Sequence, residues 1–474
     1  MRFTMRCNDT FRNVRNYLYQ GSRAMRLSFL VIIIIAIGSI LLSASSCGTP
    51  SNEESVLLPV SCTSSGELGD ASSDNPSLSS DGRYVAFESA ATNLVPLAGI
   101  SYTNVFRKDL ETGEVLICSS LAGGESGDAG SNSSRISSDG RYVVFSSVAR
   151  NLEPDVDYGW SDVFRKDLET GELVCCSTAS NGIEMNDIDC GGPSISADGR
   201  YAAFTTYYAE DIGKPEDEMS VYDMPNVYRK DLATGNLVLC NTSRSGEPGS
   251  SHSIDAEISA DGRYVAFGSA ADNLLPKEAG IEIPRYEGDP HLYWNIFRKD
   301  LETGEVLLCS ASTGGEPVRR NSNCSSISSD GRYVLFISEA ENLVTGDTNQ
   351  RKDLFRKDLV TGEIIICSTS SDGEIGDENT GSGEISANGR YVAFNSHATN
   401  FAPVDNTEWQ NVFRKDLLSQ EIVLCATSDE GIGEDFIGPT INSDGRFVAF
   451  VAQVRDDRTS QVYRRELTFD EANP

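Results

Sequence analysis

The sequence predicts an all-β protein, a seven-bladed β-propeller of four-stranded antiparallel blades. Three observations carry that expectation. A DGRY motif or a close variant begins at Asp81, Asp139, Asp198, Asp261, Asp330, Asn388 and Asp444, at spacings of 58, 59, 63, 69, 58 and 56 residues. A second motif follows each copy: NVFRKDLETG from Asn104, with variants from Asp162, Asn226, Asn295, Asp353 and Asn411, and a worn QVYRREL from Gln461. Between these motifs, aromatic and β-branched residues gather in short runs bounded by Gly turns, with no helical period. One such unit cannot bury both of its faces alone, so the copies must stack on one another.

Taken in order, residues 1–46 read as a signal peptide or membrane anchor. The run LSFLVIIIIAIGSILLSASS over 27–46 follows six Arg and leads through small residues into Cys47, the layout of an export signal. Starting at Met25 would give a compact signal. Cys47 resembles the acceptor of a bacterial lipoprotein signal, although Ala44 stands where that family usually has Leu. Lipidation at Cys47, an uncleaved anchor and full secretion all send the body out of the cytoplasm, because the basic residues lie on the leading side. Residues 47–54 form a polar tether, and 55–474 the propeller.

Each unit has the same four strands. In the first, Pro76-Ser-Leu-Ser-Ser is a short strand, and Asp81-Gly82 is a tight turn where Gly reaches positive φ without steric cost. Tyr84-Val-Ala-Phe-Glu-Ser is the second strand and Val105-Phe-Arg-Lys-Asp-Leu the third. The fourth, Val115-Leu-Ile-Cys118, follows the Thr112-Gly113 turn. The seventh copy ends without a fourth strand. The missing one stands at the other end of the chain, where Val56-Leu-Leu-Pro-Val-Ser-Cys62 matches Val306-Leu-Leu-Cys309. The N-terminal strand, about 55–62, is therefore expected to close the last blade and remove its free edge. The recurring Arg-Lys-Asp, with the Arg of DGR, suggests a charge ladder on each blade whose exposed pairs contribute little.

The pattern S-x-DGRYVAF, the NLV loops at Asn93 and Asn342 and VFRKDL-x-TG resemble the TolB-type, WD-like propeller repeat of bacterial envelope proteins. TolB itself carries an α/β domain before its propeller, where this chain has only the tether. The resemblance implies the fold and an envelope setting; it brings no catalytic motif.

Asp plus Glu number 71 against 39 Lys plus Arg, for a net charge of −32. Setting aside the first 46 residues, with six Arg and Asp9, leaves 33 bases against 70 acids, or −37. Such a body repels nucleic acid and anionic lipid, and it draws cations and basic partners. Of 12 Cys, Cys62, Cys118, Cys176, Cys240, Cys309, Cys367 and Cys425 fall at one point of the repeat. Equivalent points of neighbouring blades lie too far apart to be bridged, so these are expected to be unpaired core residues. Cys190 and Cys324 are expected in loops, where a reactive thiol would sit.

The DGR and TG turns share one face, and the opposite face carries the loops that vary. The longest are 206–225 and 269–294. They hold Tyr207, Tyr208, Tyr222, Tyr286, Tyr293 and Trp294 among acids, which suits a glycan, a basic peptide or a protein partner. His252, His291 and His397 map to the same face. Asp347, Asn349 and Asp353 loosely resemble a calcium loop, lacking its Gly and terminal Glu; Asx turns explain them as well. No cofactor is expected beyond that weak calcium candidate. The expected function is a monomeric, non-enzymatic binding scaffold of the envelope or cell surface. The alternative is a polysaccharide-acting propeller, a lyase or hydrolase using His and carboxylates on the variable face.

Overall fold

The computed structural model describes residues 56–96, 102–152, 160–180, 188–207, 224–284, 293–403, 408–454 and 459–467. The leader, Cys47, the tether, Tyr208, Tyr222, Tyr286 and His291 lie outside the described residues. Within these, seven four-stranded antiparallel sheets follow one another. Blade 1 runs through Ser73–Leu78, Tyr84–Ser89, Asn104–Asp109 and Val115–Ile117, paired in chain order. Blades 2 to 6 repeat that order. In blade 7, Asp435–Ile441, Phe447–Val454 and Thr459–Glu466 are completed by Leu57–Pro59, with Leu58 opposite Arg464. The chain ends are thus joined in one sheet, as the count of strands requires. Among the described residues no helix is long and apolar enough to cross a membrane.

The second and third strands are buried on both faces, and they set the core. In blade 1, Phe87 lies opposite Phe106, and their rings stack at 5.8 Å with neither exposed. Phe145 and Phe164 do the same in blade 2, and Phe336 and Phe355 in blade 5. Burying such a pair contributes several kcal/mol at about 1.5–3 kcal/mol per side chain.

The blades are fastened by the motifs themselves. Each DGR glycine has positive φ, 74° at Gly140, and a Cβ there would run into the Tyr84 ring of the preceding blade. Arg107 donates through Nη1 to the Gly140 carbonyl at 2.9 Å, and its guanidinium lies 4.5 Å from the Tyr84 ring centroid. Arg83 also lies over that ring, at 4.8 Å. The arrangement recurs at Tyr142 over Gly199, Tyr201 over Gly262, Tyr264 over Gly331, Tyr333 over Gly389 and Tyr391 over Gly445. It closes at the seam, where Phe447 covers Gly82 and Arg464 donates to the Gly82 carbonyl at 2.7 Å.

The Arg of DGR pairs with the Asp of the Arg-Lys-Asp run in one blade after another, Arg83 with Asp109 and Arg141 with Asp167, but the Lys is not an exposed member of that ladder. Lys108 is buried and donates to the carbonyls of Cys62, Thr63 and Gly113 at 2.9–3.1 Å, gripping the outer strand of the previous blade. Lys166, Lys299, Lys357 and Lys415 make the same three bonds to their own neighbours. Burial lowers the pKa of these four, and three carbonyl acceptors compensate the ammonium. Asp109 receives Arg83 in a fork, Nε at 3.0 Å and Nη2 at 2.7 Å, which holds its carboxyl well below the usual range.

The seven repeat cysteines are buried and in no disulfide. Burial pushes the Cys118, Cys176, Cys240, Cys309, Cys367 and Cys425 thiols up to about 12. Cys190 and Cys324 are not in loops. They lie in the inner strands Cys190–Ile195 and Ser322–Ile327, because those strands begin earlier than their Gly- and Ser-rich sequences suggest. Burial raises both thiols, and carboxylates near each push further in the same direction.

Candidate functional site: the axial ring

The first strand of every blade is innermost, so seven of them wall a channel along the propeller axis. Each of these strands breaks register against its neighbour at a bulge, between Asn132 and Arg135 in blade 2 and between Ile254 and Glu257 in blade 4. A bulge re-aims the residue that follows it. Asn75, Ser133, Gly192, Asp255 and Gly438 take left-handed φ of 53–59° at this point. For the three that are not Gly this costs on the order of 1 kcal/mol each. Asn75 is fixed by donating to Glu88 at 2.6 Å.

One position just beyond the bulge pairs with the third residue of the second strand in all seven blades. Around the ring it holds Ser77, Arg135, Ser194, Glu257, Ser326, Glu384 and Thr440. Four blades place a hydroxyl there and three place a charge. A cavity of about 420 Å³ opens over this ring, and a smaller one of about 160 Å³ lies on its other side. Arg135, Glu257 and Glu384 line both, so the charges form the waist of the channel.

These charges do not neutralise each other by contact. Arg135 donates to its neighbour's carbonyl at Ser134, 3.0 Å away. Glu384 accepts from the Ile441 amide at 3.3 Å, and burial raises its pKa against that bond and one from Thr440. Glu257 makes no hydrogen bond or ion pair with a described residue. Burial lifts it to about 7; Arg135 pulls it down, whereas Glu384 and Asp255 push it further up. Asp255 is also raised by burial, opposed by a hydrogen bond from Asn323. The Ser194 hydroxyl, 4% exposed and part of the channel wall, has no hydrogen-bond partner among the described residues.

Of the residues singled out in the loops, the structure joins some to this channel and separates others. Tyr207 follows the second strand of blade 3 and lies across that blade's inner strand, within contact reach of Gly191 and Gly192. Burial raises its phenol pKa, and Asp255 raises it further. It is 40% exposed, an aromatic at the channel mouth. Tyr293 is buried, whereas Trp294 is half-buried with its ring 6.4 Å from that of His252. Burial lowers the His252 pKa. His397 belongs to blade 6, and neither it nor His252 lines the channel.

In the acidic loop, Asp347 is buried with one carboxylate oxygen unpartnered. Asn349 turns its amide nitrogen toward Asp353 at 3.1 Å, and its oxygen closes a turn on the Arg351 amide. Ser368 donates to Asp353 at 2.6 Å, while burial raises Asp353 to about 6.

The ring charges were not singled out from sequence, since SSRIS, AEIS and GEIS each read as a run-in to the DGR turn. The signal was present: aligning the seven units on DGR puts Arg, Glu and Glu at a position otherwise Ser or Thr.

No family model matches the chain, and no curated protein matches it. Solved propellers do. An oligogalacturonate lyase from Vibrio parahaemolyticus aligns over 87% of this chain and 97% of its own, at 12% identity and a TM-score of 0.51. The β-propeller domain of the Trilobed protease from Pyrococcus furiosus aligns over 85% and 99%, at 14% identity and a TM-score of 0.50. That domain has an open velcro topology, whereas here Leu57–Pro59 pairs with Thr459–Glu466. TolB from Acinetobacter baumannii also matches, over 82% and 81%, at 14% identity and a TM-score of 0.37. Likeness at these identities shows the fold alone, a β-propeller.

Proposed function

We propose that this protein is a binding scaffold of the cell envelope whose ligand site is the axial channel, entered from the variable face past Tyr207. One observation carries the reading: the Glu257 side chain lines the channel with no hydrogen bond or ion pair to a described residue, where four other blades place a hydroxyl. A buried carboxyl with no partner costs stability when it ionises, and such groups concentrate where a ligand supplies the partner. Around it, Arg135, Glu384 and Asp255 converge on a cavity large enough for a side chain or a single sugar ring. Of the described histidines, His252 and His397 lie off the channel, and the groups that line it are carboxylates, a guanidinium and hydroxyls suited to recognition. The envelope setting is supported by the basic, apolar and small-residue order of residues 1–47. The partner class is a protein, peptide or glycan.

The test is capture by the full chain, purified in mild detergent, from envelope extract and on a glycan array. A variant with Arg135→Ser, Glu257→Ser and Glu384→Ser, which restores the hydroxyl ring of the other blades, is the control. The reading expects the variant to fold and to lose the captured ligand; equal capture by both would refute the axial site.

A further inference from the structure

The chemistry of the channel narrows the ligand class, and this step rests on the axial ring being the ligand site. Three carboxylates, Asp255, Glu257 and Glu384, face the cavity against one guanidinium, Arg135. Behind the blade 1 wall, Glu88 is held by Asn75, which lines the cavity, and by the Ser134 amide at 3.3 Å. The walls between these groups offer hydroxyls and amides of Ser, Thr and Asn, interleaved with the apolar edges of Pro76, Pro193, Ala256 and Pro439. The body around the channel carries the same sign of charge, and a cleft of one sign raises the local concentration of opposite charge. Among the described residues no three carboxylate, imidazole or thiol groups are grouped to hold a metal ion. The carboxylates are spread over blades 4 and 6, a spacing that suits a charge carried on a chain or a planar fork.

We propose that the axial channel takes an organic cation of side-chain size, an ammonium or guanidinium, received by Glu257 and Glu384 while Arg135 sets the depth of entry. A small free amine and a Lys or Arg side chain of a basic peptide share this chemistry. Binding is coupled to proton release. The groups that face Glu257 are Asp255 on its own strand, Arg135 of blade 2, Glu384 of blade 6, and the Ser194 and Ser326 hydroxyls and Cys324 thiol of blades 3 and 5. Burial raises Glu257 to about 7, so a fraction of the protein holds it protonated at neutral pH. An ammonium binds the ionised form and displaces that proton.

The experiment is isothermal titration of the full chain with n-butylammonium, with a blocked Gly-Lys-Gly peptide and with acetate, from pH 5.5 to 8 in buffers of different ionisation enthalpy. Butylammonium affinity is expected to rise on the order of tenfold across that range, with about half a proton released at pH 7. In Glu257→Gln both the pH slope and the proton release should disappear. Tighter binding of the peptide points to a basic protein segment, and binding of the amine alone to a small metabolite; either supports the cation. Two results overturn it. If acetate binds and Arg135→Ala abolishes that binding while butylammonium has no affinity, the channel is an anion site and the axial scaffold reading survives. If butylammonium binds equally to wild type, Glu257→Gln and Glu384→Gln, the cation sits elsewhere on the acidic surface.

Discussion

Tyr84 of blade 1 lies against Gly140 of blade 2, and the carbonyl of that glycine accepts from Arg107 of blade 1. One aromatic ring, one absent Cβ and one guanidinium thus make a joint, and the ring is built of seven such joints. The DGRY and FRKD motifs recur because each copy must meet the next.

Gly140→Ala tests the joint. The Cβ would meet the Tyr84 ring at a residue whose φ is 74°, so both the contact and the backbone oppose it. We expect a loss of about 3 kcal/mol or more in urea unfolding. Gly124→Ala, also at positive φ but with open space around it, should cost about 1 kcal/mol.

Deleting the chain through Pro59 leaves Thr459–Glu466 as an unpaired edge. The expected outcome is a lower melting temperature and concentration-dependent association in sedimentation, since exposed edges recruit other strands. An unchanged melting temperature would mean that blade 7 stands on three strands.

Thiol titration checks the cysteine assignment. Because burial raises the Cys118, Cys176 and Cys309 thiols to about 12, native protein should react at them over hours, whereas denatured protein should react at once. Rapid labelling of Cys118 or Cys309 in the native state would contradict their place between blades.

Glu257 gives stability a pH signature. Its folded pKa, about 7, lies above the ordinary glutamate value of 4.5, so the fold favours the protonated form. Its contribution is intact below about pH 4.5 and is lost as pH rises through 7. Glu257→Gln should therefore match wild type at pH 4 and exceed it by about 2–3 kcal/mol at pH 8. The Arg–Asp forks run the opposite way. Asp109, Asp167, Asp231 and Asp358 are depressed, so their contribution is present above about pH 4 and fails as acid protonates them.

Almost all of the architecture was legible from the chain, because repetition exposes it: seven units, four strands each, and the borrowed strand at Leu57–Pro59. Gly140 was readable as a turn glycine. That its Cβ is excluded by Tyr84 was not readable, since the contact joins residues of different copies. Lys108 looked like a surface charge because nothing local shows that three carbonyls wait for it. The ring charges were hidden for a different reason. The inner strands are short, rich in Ser and Gly and bulged, so neither hydrophobicity nor alternation marks them; only superposing blades sets Arg135, Glu257 and Glu384 apart. Tyr207 was singled out from its loop, but its place at the channel mouth comes from crossing the glycines of blade 3.

The axial ring is the central claim, and the affinity of a captured ligand for two variants tests it most directly. One variant replaces Arg135, Glu257 and Glu384 by Ser; the other replaces Trp294, beside His252 on the variable face, by Ala. The account expects the first to lose on the order of 100-fold in affinity, as removal of buried charged contacts does, and the second to change little. Loss in the Trp294 variant with full affinity in the ring variant would contradict it and move the site to the loops.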